Sequence, residues 1–304
     1  MRLNVRAVLL VCAVMLMPIA ADAGNCTCNG STVNVGAYSV FLTGPMQPTA
    51  TITVDCNGNA TYNIAFGTGN SGSYASRRMD QGSGGSLNYN IYTDATRTTV
   101  WATTNVIVYN TGGSSGTFSQ QLFLKIDPLQ DAPYSGGTYQ DSIPVTMTPV
   151  AGTGGPTRSC SFSLQATVIP ECRAPATTLA FGNYDPVVAN ATVASPKNAT
   201  VNLLYNCTKG ISSTVGLDLG SHISGTTRRM AGPSANFLTY DIFSDSARTQ
   251  RWTNVLGGLV AATSSSKDTP LGGISGLSAY GTIPGNQDVV GGSYSDTVTA
   301  TINY

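Results

Sequence analysis

The sequence predicts an all-β chain: two immunoglobulin-like β-sandwich domains in tandem, the first self-complemented and the second lacking its final strand. Three observations carry this. The chain repeats itself at an offset near 150 residues. Each copy reads as short alternating segments between Gly-rich turns, the pattern of all-β sandwiches. One further alternating segment follows the first copy and has no counterpart after the second.

The repeat is anchored at several points. The run from Leu87 to Trp101 matches Leu238 to Trp252, and Arg77-Arg78-Met79 matches Arg228-Arg229-Met230, both at an offset of 151. The endings, Gly-Gly-Thr-Tyr-Gln-Asp from Gly136 and Gly-Gly-Ser-Tyr-Ser-Asp from Gly291, match at 155. Cys26, Gly36 and Tyr38 are spaced as Cys172, Gly182 and Tyr184. A period of this size is domain duplication, not a solenoid.

Residues 1–23 read as a targeting segment. Arg2 and Arg6 are basic, Ala7 to Met17 is apolar, and Ala21-Asp22-Ala23 fits a cleavage site. The apolar stretch is too short to span a bilayer. The expected product is exported and begins at Gly24.

Expected strands of the first module (24–169) are Thr32–Val40, Ala50–Cys56, Tyr62–Phe66, Leu87–Tyr92, Leu122–Ile126, Ser142–Thr148 and Phe162–Ile169. Pro144 and Pro149 mark the sixth as an edge or bulged strand. The seventh alternates: Phe162, Leu164, Ala166 and Val168 lie on one face, Ser163, Gln165 and Thr167 on the other. It is the self-complementing strand. The second module (170–304) has expected strands near Thr178–Tyr184, Ala199–Cys207, Thr214–Leu219, Phe237–Phe243, Ser278–Ile283 and Thr297–Tyr304. Its final strand, with Val298, Ala300, Ile302 and Tyr304 on one face, is then the edge of an uncovered acceptor groove. An open edge must be filled or it aggregates, and strand donation by another chain is one way to fill it.

Outside the targeting segment, which holds Cys12, there are six cysteines. An even count in an exported chain implies disulfides. The second module has only Cys172 and Cys207, which pair. Repeat equivalence then pairs Cys26 with Cys56 and leaves Cys28 for Cys160, although four cysteines allow three connectivities. Strand directions place Cys26, Cys28, Cys56 and Cys160 together at the pole of the first module farthest from the second.

Charged residues are 10% of the chain, with 15 basic and 15 acidic side chains. That balance argues against nucleic acid as a partner. No cofactor or metal motif is present, and no catalytic set is evident. His222 is the one histidine, and it reads as an exposed loop residue. Asp94 and Asp245, Arg97 and Arg248, and the two Arg doublets recur in both copies, which favours structural roles. Candidate surface-binding loops at the far pole are Phe41, Leu42 and Met46, and Val106, Ile107, Val108 and Tyr109. The competing reading of each run is a strand packed in the core.

The paired Cys with Gly-x-Tyr, the Arg-Arg-Met, the Tyr-x-Ile-(Tyr/Phe)-x-Asp…Arg…Trp block and the Gly-Gly-x-Tyr-x-Asp ending together resemble the spore coat protein U domain, over both modules. The resemblance implies a subunit of an archaic chaperone–usher pilus, completed first by a periplasmic pilus chaperone. At the outer-membrane usher, the N-terminal donor strand of the next pilin subunit then takes its place. This sequence departs from a plain pilin: it has two modules, its own completing strand, and no expected donor extension before Cys26. The combination resembles a two-domain tip adhesin at the cell surface, attaching to an abiotic or host surface during biofilm formation. The alternative is a structural coat or shaft protein without an adhesive role.

Overall fold

Alternation decides where the strands lie. Ala50, Ile52, Val54 and Cys56 turn inward from one strand, Thr49–Asn57, while Thr49, Thr51 and Asn57 are exposed; a pleated strand sends successive side chains to opposite faces. The computed structural model describes residues 24–82, 85–130, 137–152, 155–263 and 275–304. The expected targeting segment, 1–23, lies outside them.

The first module holds β1 (Asn25–Cys28), β2 (Ser31–Tyr38), β3 (Thr49–Asn57), β4 (Thr61–Phe66), β5 (Arg77–Gln81), β6 (Gly85–Tyr92), β7 (Ile107–Asn110), β8 (Gly116–Ile126), β9 (Thr138–Pro149) and β10 (Arg158–Val168). They form one curled sheet in the order β1-β3-β8-β6-β5-β9-β10-β2, with β4 bridging β9 and β7. The curl encloses a single core that includes Tyr38, Tyr62, Phe66, Trp101 and Phe162. β10 runs antiparallel to β9, from Arg158 opposite Met147 to Thr167 opposite Thr138. On its other side it runs parallel to β2, from Phe162 opposite Ser31 to Val168 opposite Tyr38. Phe162, Leu164, Ala166 and Val168 are at most 1% exposed. Burying each of the larger three contributes about 1.5–3 kcal/mol relative to leaving it in water.

The second module holds β11 (Cys172–Arg173), β12 (Lys197–Cys207), β13 (Ser212–Leu217), β14 (Arg228–Ala231), β15 (Phe237–Phe243), β16 (Val260–Thr263), β17 (Ser275–Ile283) and β18 (Ala300–Asn303). Its two sheets run β11-β12-β17-β15-β14 and β16-β13-β18.

Three expectations need correction. Thr178–Tyr184 forms no strand. Its counterpart β2 has β10 as its only ladder partner, and among the described residues the second module has no such strand to offer. The strand holding Pro144 is not an edge, because β9 lies between β4 and β10. Pro144 is tolerated because its carbonyl, and hence its N, faces Gly67 just past the end of β4 (Gly67 N donates to Pro144 O, 2.7 Å), where no ladder bond is needed. The sequence pattern also missed β1, β5, β11, β14 and β16, each of two to five residues, whereas β7 is the strand that competed with a loop for Val106–Tyr109.

The cysteines close the modules. Cys26 bonds to Cys56 and Cys172 to Cys207, each across directly opposed residues with Cα atoms 4.0 Å apart. Cys28 bonds to Cys160 with Cα atoms 5.7 Å apart, tying β1 to β10 across a sequence separation of 132. In the chain-entropy model, closing a loop of that length is worth about 5 kcal/mol.

The repeated charged residues are used within their own modules. Arg77 and Arg228 are fully buried. Arg77 donates to Gly67 O (2.9 Å), Asn90 Oδ1 (2.6 Å) and Trp101 O (2.6 Å). Arg228 donates to Asp218 O (3.0 Å), Asp241 Oδ1 (2.6 Å) and Trp252 O (2.7 Å). Trp101 and Trp252, both fully buried, in turn donate from Nε1 to Ile64 O (3.0 Å) and Val215 O (2.8 Å). Asp94 and Asp245 accept from the backbone of Thr98–Thr99 and Thr249–Gln250, closing turns in which Arg97 and Arg248 share φ 57°.

Replacing Arg77 with Ala removes the donor to Trp101 O and Gly67 O and leaves Asn90 Oδ1 with Ile91 N alone. The expected cost to the first module is about 3 kcal/mol or more, read as a fall in its denaturant midpoint, with the second module's transition unmoved.

Candidate functional site

The second module carries a groove of about 1190 Å³ where β10 lies in the first. That exceeds the roughly 300–1,000 Å³ of ordinary small-molecule pockets, and its lining includes residues 289–298, Ala300 and Ile302 among others. One wall is the segment running into β18. In the first module Tyr139, Ile143, Val145 and Met147 are fully buried on β9, the strand that pairs with β10. Their counterparts, Tyr294, Val298, Ala300 and Ile302, keep the same alternation but stand partly or fully exposed along the groove. β18 pairs with β13 on one side only, from Ala300 opposite Leu217 to Asn303 opposite Thr214. Thr297 and Thr299 turn their carbonyls toward that side, accepting from Ser221 N and Asp218 N at 3.0 Å each. Backbone groups alternate along a strand, so those of Val298, Ala300 and Ile302 face the groove.

The opposite wall is 174–184, counterpart of β2. Leu179 and Phe181 lean onto Gly281 of β17, where a Cβ would fall 2.6 Å from either side chain. Phe181 also meets Tyr240 edge-on, centroids 6.1 Å apart. The Tyr184 hydroxyl donates to Pro284 O (3.0 Å) and accepts from Gln287 N (3.0 Å). Tyr38 does the same with Asp127 O (3.0 Å) and Gln130 N (3.1 Å). The segment is thus pinned at Cys172 and at Tyr184 but unladdered between them. Leu203, Leu217, Met230 and Leu238 are among the floor residues.

Asp296 holds the groove wall in place. Its side chain is 1% exposed. It accepts from the Tyr240 hydroxyl (2.7 Å) and lies 2.9 Å from His222 Nδ1. Burial pushes the Tyr240 hydroxyl up from its ordinary pKa. His222 is therefore not a free loop histidine but a partner of the groove wall. Its counterpart loop uses Asn70 N (2.8 Å) on Asp141, which also accepts from the Tyr89 hydroxyl (2.6 Å). Burial raises Asp141 above the usual carboxylate range.

The other candidates divide. Tyr304 follows β18, is 59% exposed and does not line the groove, so it drops out of the acceptor edge. Phe41, Leu42 and Met46 pack against the first core, and they lie at the wrong pole. Phe41 stacks under Arg173 of the second module (4.8 Å), Ser39 Oγ donates to Glu171, and Met46 bridges Ile126. Strand order alone did not say at which end that loop sits. Val106 is half-buried in the approach to β7. Ile107 and Tyr109 face the core from β7, with Tyr109 stacked on Phe118 (4.1 Å), while Val108 is 59% exposed. β7 leads into the 111–116 loop, at the end where Cys56 pairs with Gly116. Among the described residues no group of three or more His, Cys, Asp or Glu side chains is placed to hold a metal.

The model of the Spore Coat Protein U domain matches residues 12–146 and 159–301. The chain belongs to the Spore Coat Protein U domain family. The second matched span includes β10, although in space β10 completes the first module. "Protein U" of Myxococcus xanthus is 34% identical over 136 residues, 42% of this chain and 72% of that protein. Among solved structures, the fold is similar to a chain of the CsuC–CsuE chaperone–tip adhesion subunit pre-assembly complex from archaic chaperone–usher Csu pili of Acinetobacter baumannii. The TM-score is 0.56 and the identity 19%, over 92% of this chain and 100% of that one. The CupB6 tip adhesin from Pseudomonas aeruginosa overlaps 92% of this chain and 94% of its own at TM-score 0.39 and 9% identity.

Equivalent substitutions should cost unequally. Ile143→Ala, fully covered, is expected to lose about 2–5 kcal/mol. Val298→Ala, on the uncovered face, should lose under about 1.5 kcal/mol until the groove is occupied. Module-resolved chemical denaturation checks this.

Proposed function

We propose that this chain is the tip adhesin of an archaic chaperone–usher pilus. Its N-terminal module makes the surface contact, and its C-terminal module accepts a donor strand from the next pilin. The carrying observation is the pair of equivalent faces: Ile143, Val145 and Met147 fully buried on the strand paired with β10, and Val298, Ala300 and Ile302 partly or well exposed where no such strand lies. The Csu complex supports the reading, since a chain similar in fold along almost all of this one comes from a chaperone–tip subunit complex. The proposed sequence is as follows. A periplasmic chaperone first fills the groove, and at an outer-membrane usher the next subunit's strand replaces it. β1 pairs with β3 in its own sheet and so cannot itself be donated. The leader, residues 1–23, is proposed to be removed on export.

The surface-binding end is the one distal to the linker, beside β7. Val108 and Ile169 are the exposed large hydrophobics among the described residues of the first module, and Ile169 sits at the linker. The distal loops are otherwise small and polar, as in Thr111–Gly116. An abiotic or host surface is the proposed target. The second reading, a coat or shaft protein, takes its support from the family's description.

The first module supplies its own donor mimic, a peptide of residues 161–169. Added to the full chain at a hundredfold excess over its Kd, it should stabilise the lower-melting module by about 2.7 kcal/mol, several degrees in Tm. Val298→Pro removes the N–H that, by equivalence with Ile143 opposite Phe162, faces the peptide, and should weaken it at least about tenfold. No shift with the unmodified chain would overturn the acceptor role. Cells producing the chain without residues 24–169 should lose surface attachment, and unchanged attachment would favour the coat or shaft reading.

A further inference from the structure

We infer that the Cys28–Cys160 disulfide is a lock on β10, so that the chain offers one strand-acceptor site rather than two. Without β10 the first module would present the same uncovered face as the second, and an incoming donor strand could take either groove.

The geometry supports a device of this kind. β10 is an internal copy of a donor strand, inserted between β9 and β2. A strand held only by its ladders opens from its ends. Its linker end is fastened: Ile169 N donates to Tyr38 O (3.1 Å), and Glu171 exchanges hydrogen bonds with Thr208 (2.8 and 3.2 Å). Its other end follows a loop and would be free to peel, but there Cys160 is bonded to Cys28. Arg158 also donates to Asn25 Oδ1 of β1 (2.8 Å). β1 is in turn bound to β3 by its ladder and by Cys26–Cys56. The second module has the equivalent of Cys26–Cys56 in Cys172–Cys207 but no further cysteines. The extra bridge therefore occurs only where there is a strand to retain. The second module also shows the consequence of an absent β10: its counterpart of β2 is unladdered.

Cys28 and Cys160 are both partly exposed, whereas Cys26 is fully buried. Mild reductant should open the lock first by access. The lock goes beyond the acceptor reading, and the experiment separates the two. Three samples of the full chain are compared: oxidised, mildly reduced and alkylated, and Cys28→Ser/Cys160→Ser. Labelled peptide 161–169 is counted per chain, and amide exchange is followed in β10, β2 and β6. The oxidised chain should bind about one peptide and both unlocked samples about two. In the unlocked samples, exchange in β10 and β2 should rise at least about tenfold while β6 stays protected. Unlocked samples in which β10 keeps its protection would overturn the lock. Loss of β6 protection as well would also overturn it, since the bridge would then support the whole module. The oxidised chain binding no peptide would overturn the acceptor reading and leave the lock to be decided by exchange alone.

Discussion

The hydrogen-bonding demand of a strand's two edges governs this molecule. Each strand residue carries a donor and an acceptor that need partners once out of water. β10 meets that demand for three things at once: the free edge of β9, the whole of β2, and the core face between them. Where it is present, ten strands close around one fully buried core. Where it is absent, β18 keeps an unpaired edge, 178–184 is no longer a strand, and core side chains such as Val298 and Ile302 are only partly covered. One strand accounts for all three differences.

The open module keeps a buried core around Tyr240 and Trp252, and polar ties between residues distant in sequence brace its groove. Asp296, Tyr240 and His222 fix the start of the exposed wall, Tyr184 and Gln287 fix the opposite one, and Arg228 clamps the turn after β13 to Trp252. The complete module repeats most of these brackets around Asp141, Tyr38 and Arg77. Hydrogen bonds to charged groups are among the stronger single ties in a fold. A set of them can preserve a groove's shape where packing across it is missing.

The sequence made the duplication, the long strands and the extra strand legible, because each leaves a side-chain signature: matched residues at a fixed offset, or apolar positions two apart. It also pointed to the groove, since Val298, Ala300 and Ile302 alternate like Ile143, Val145 and Met147. What it could not show was partnership. Thr178–Tyr184 carries a strand-compatible pattern, yet a ladder needs a neighbour, and the neighbour is missing. Pro144 looked like an edge signal because the pattern does not reveal which side of a strand its N faces. Asn25–Cys28 was too short to show a period. Phe41 looked available for contact, and only the three-dimensional path of its loop shows that Arg173 covers it.

The direct passage of β10 into the linker has a mechanical consequence. A pull along the axis of β10 lies at right angles to its ladder bonds with β9. A load in that direction shears the whole ladder at once instead of unzipping it one bond at a time. The covalent anchor at the other end keeps the strand from sliding. Tension entering through the linker would thus be met by the full length of β10.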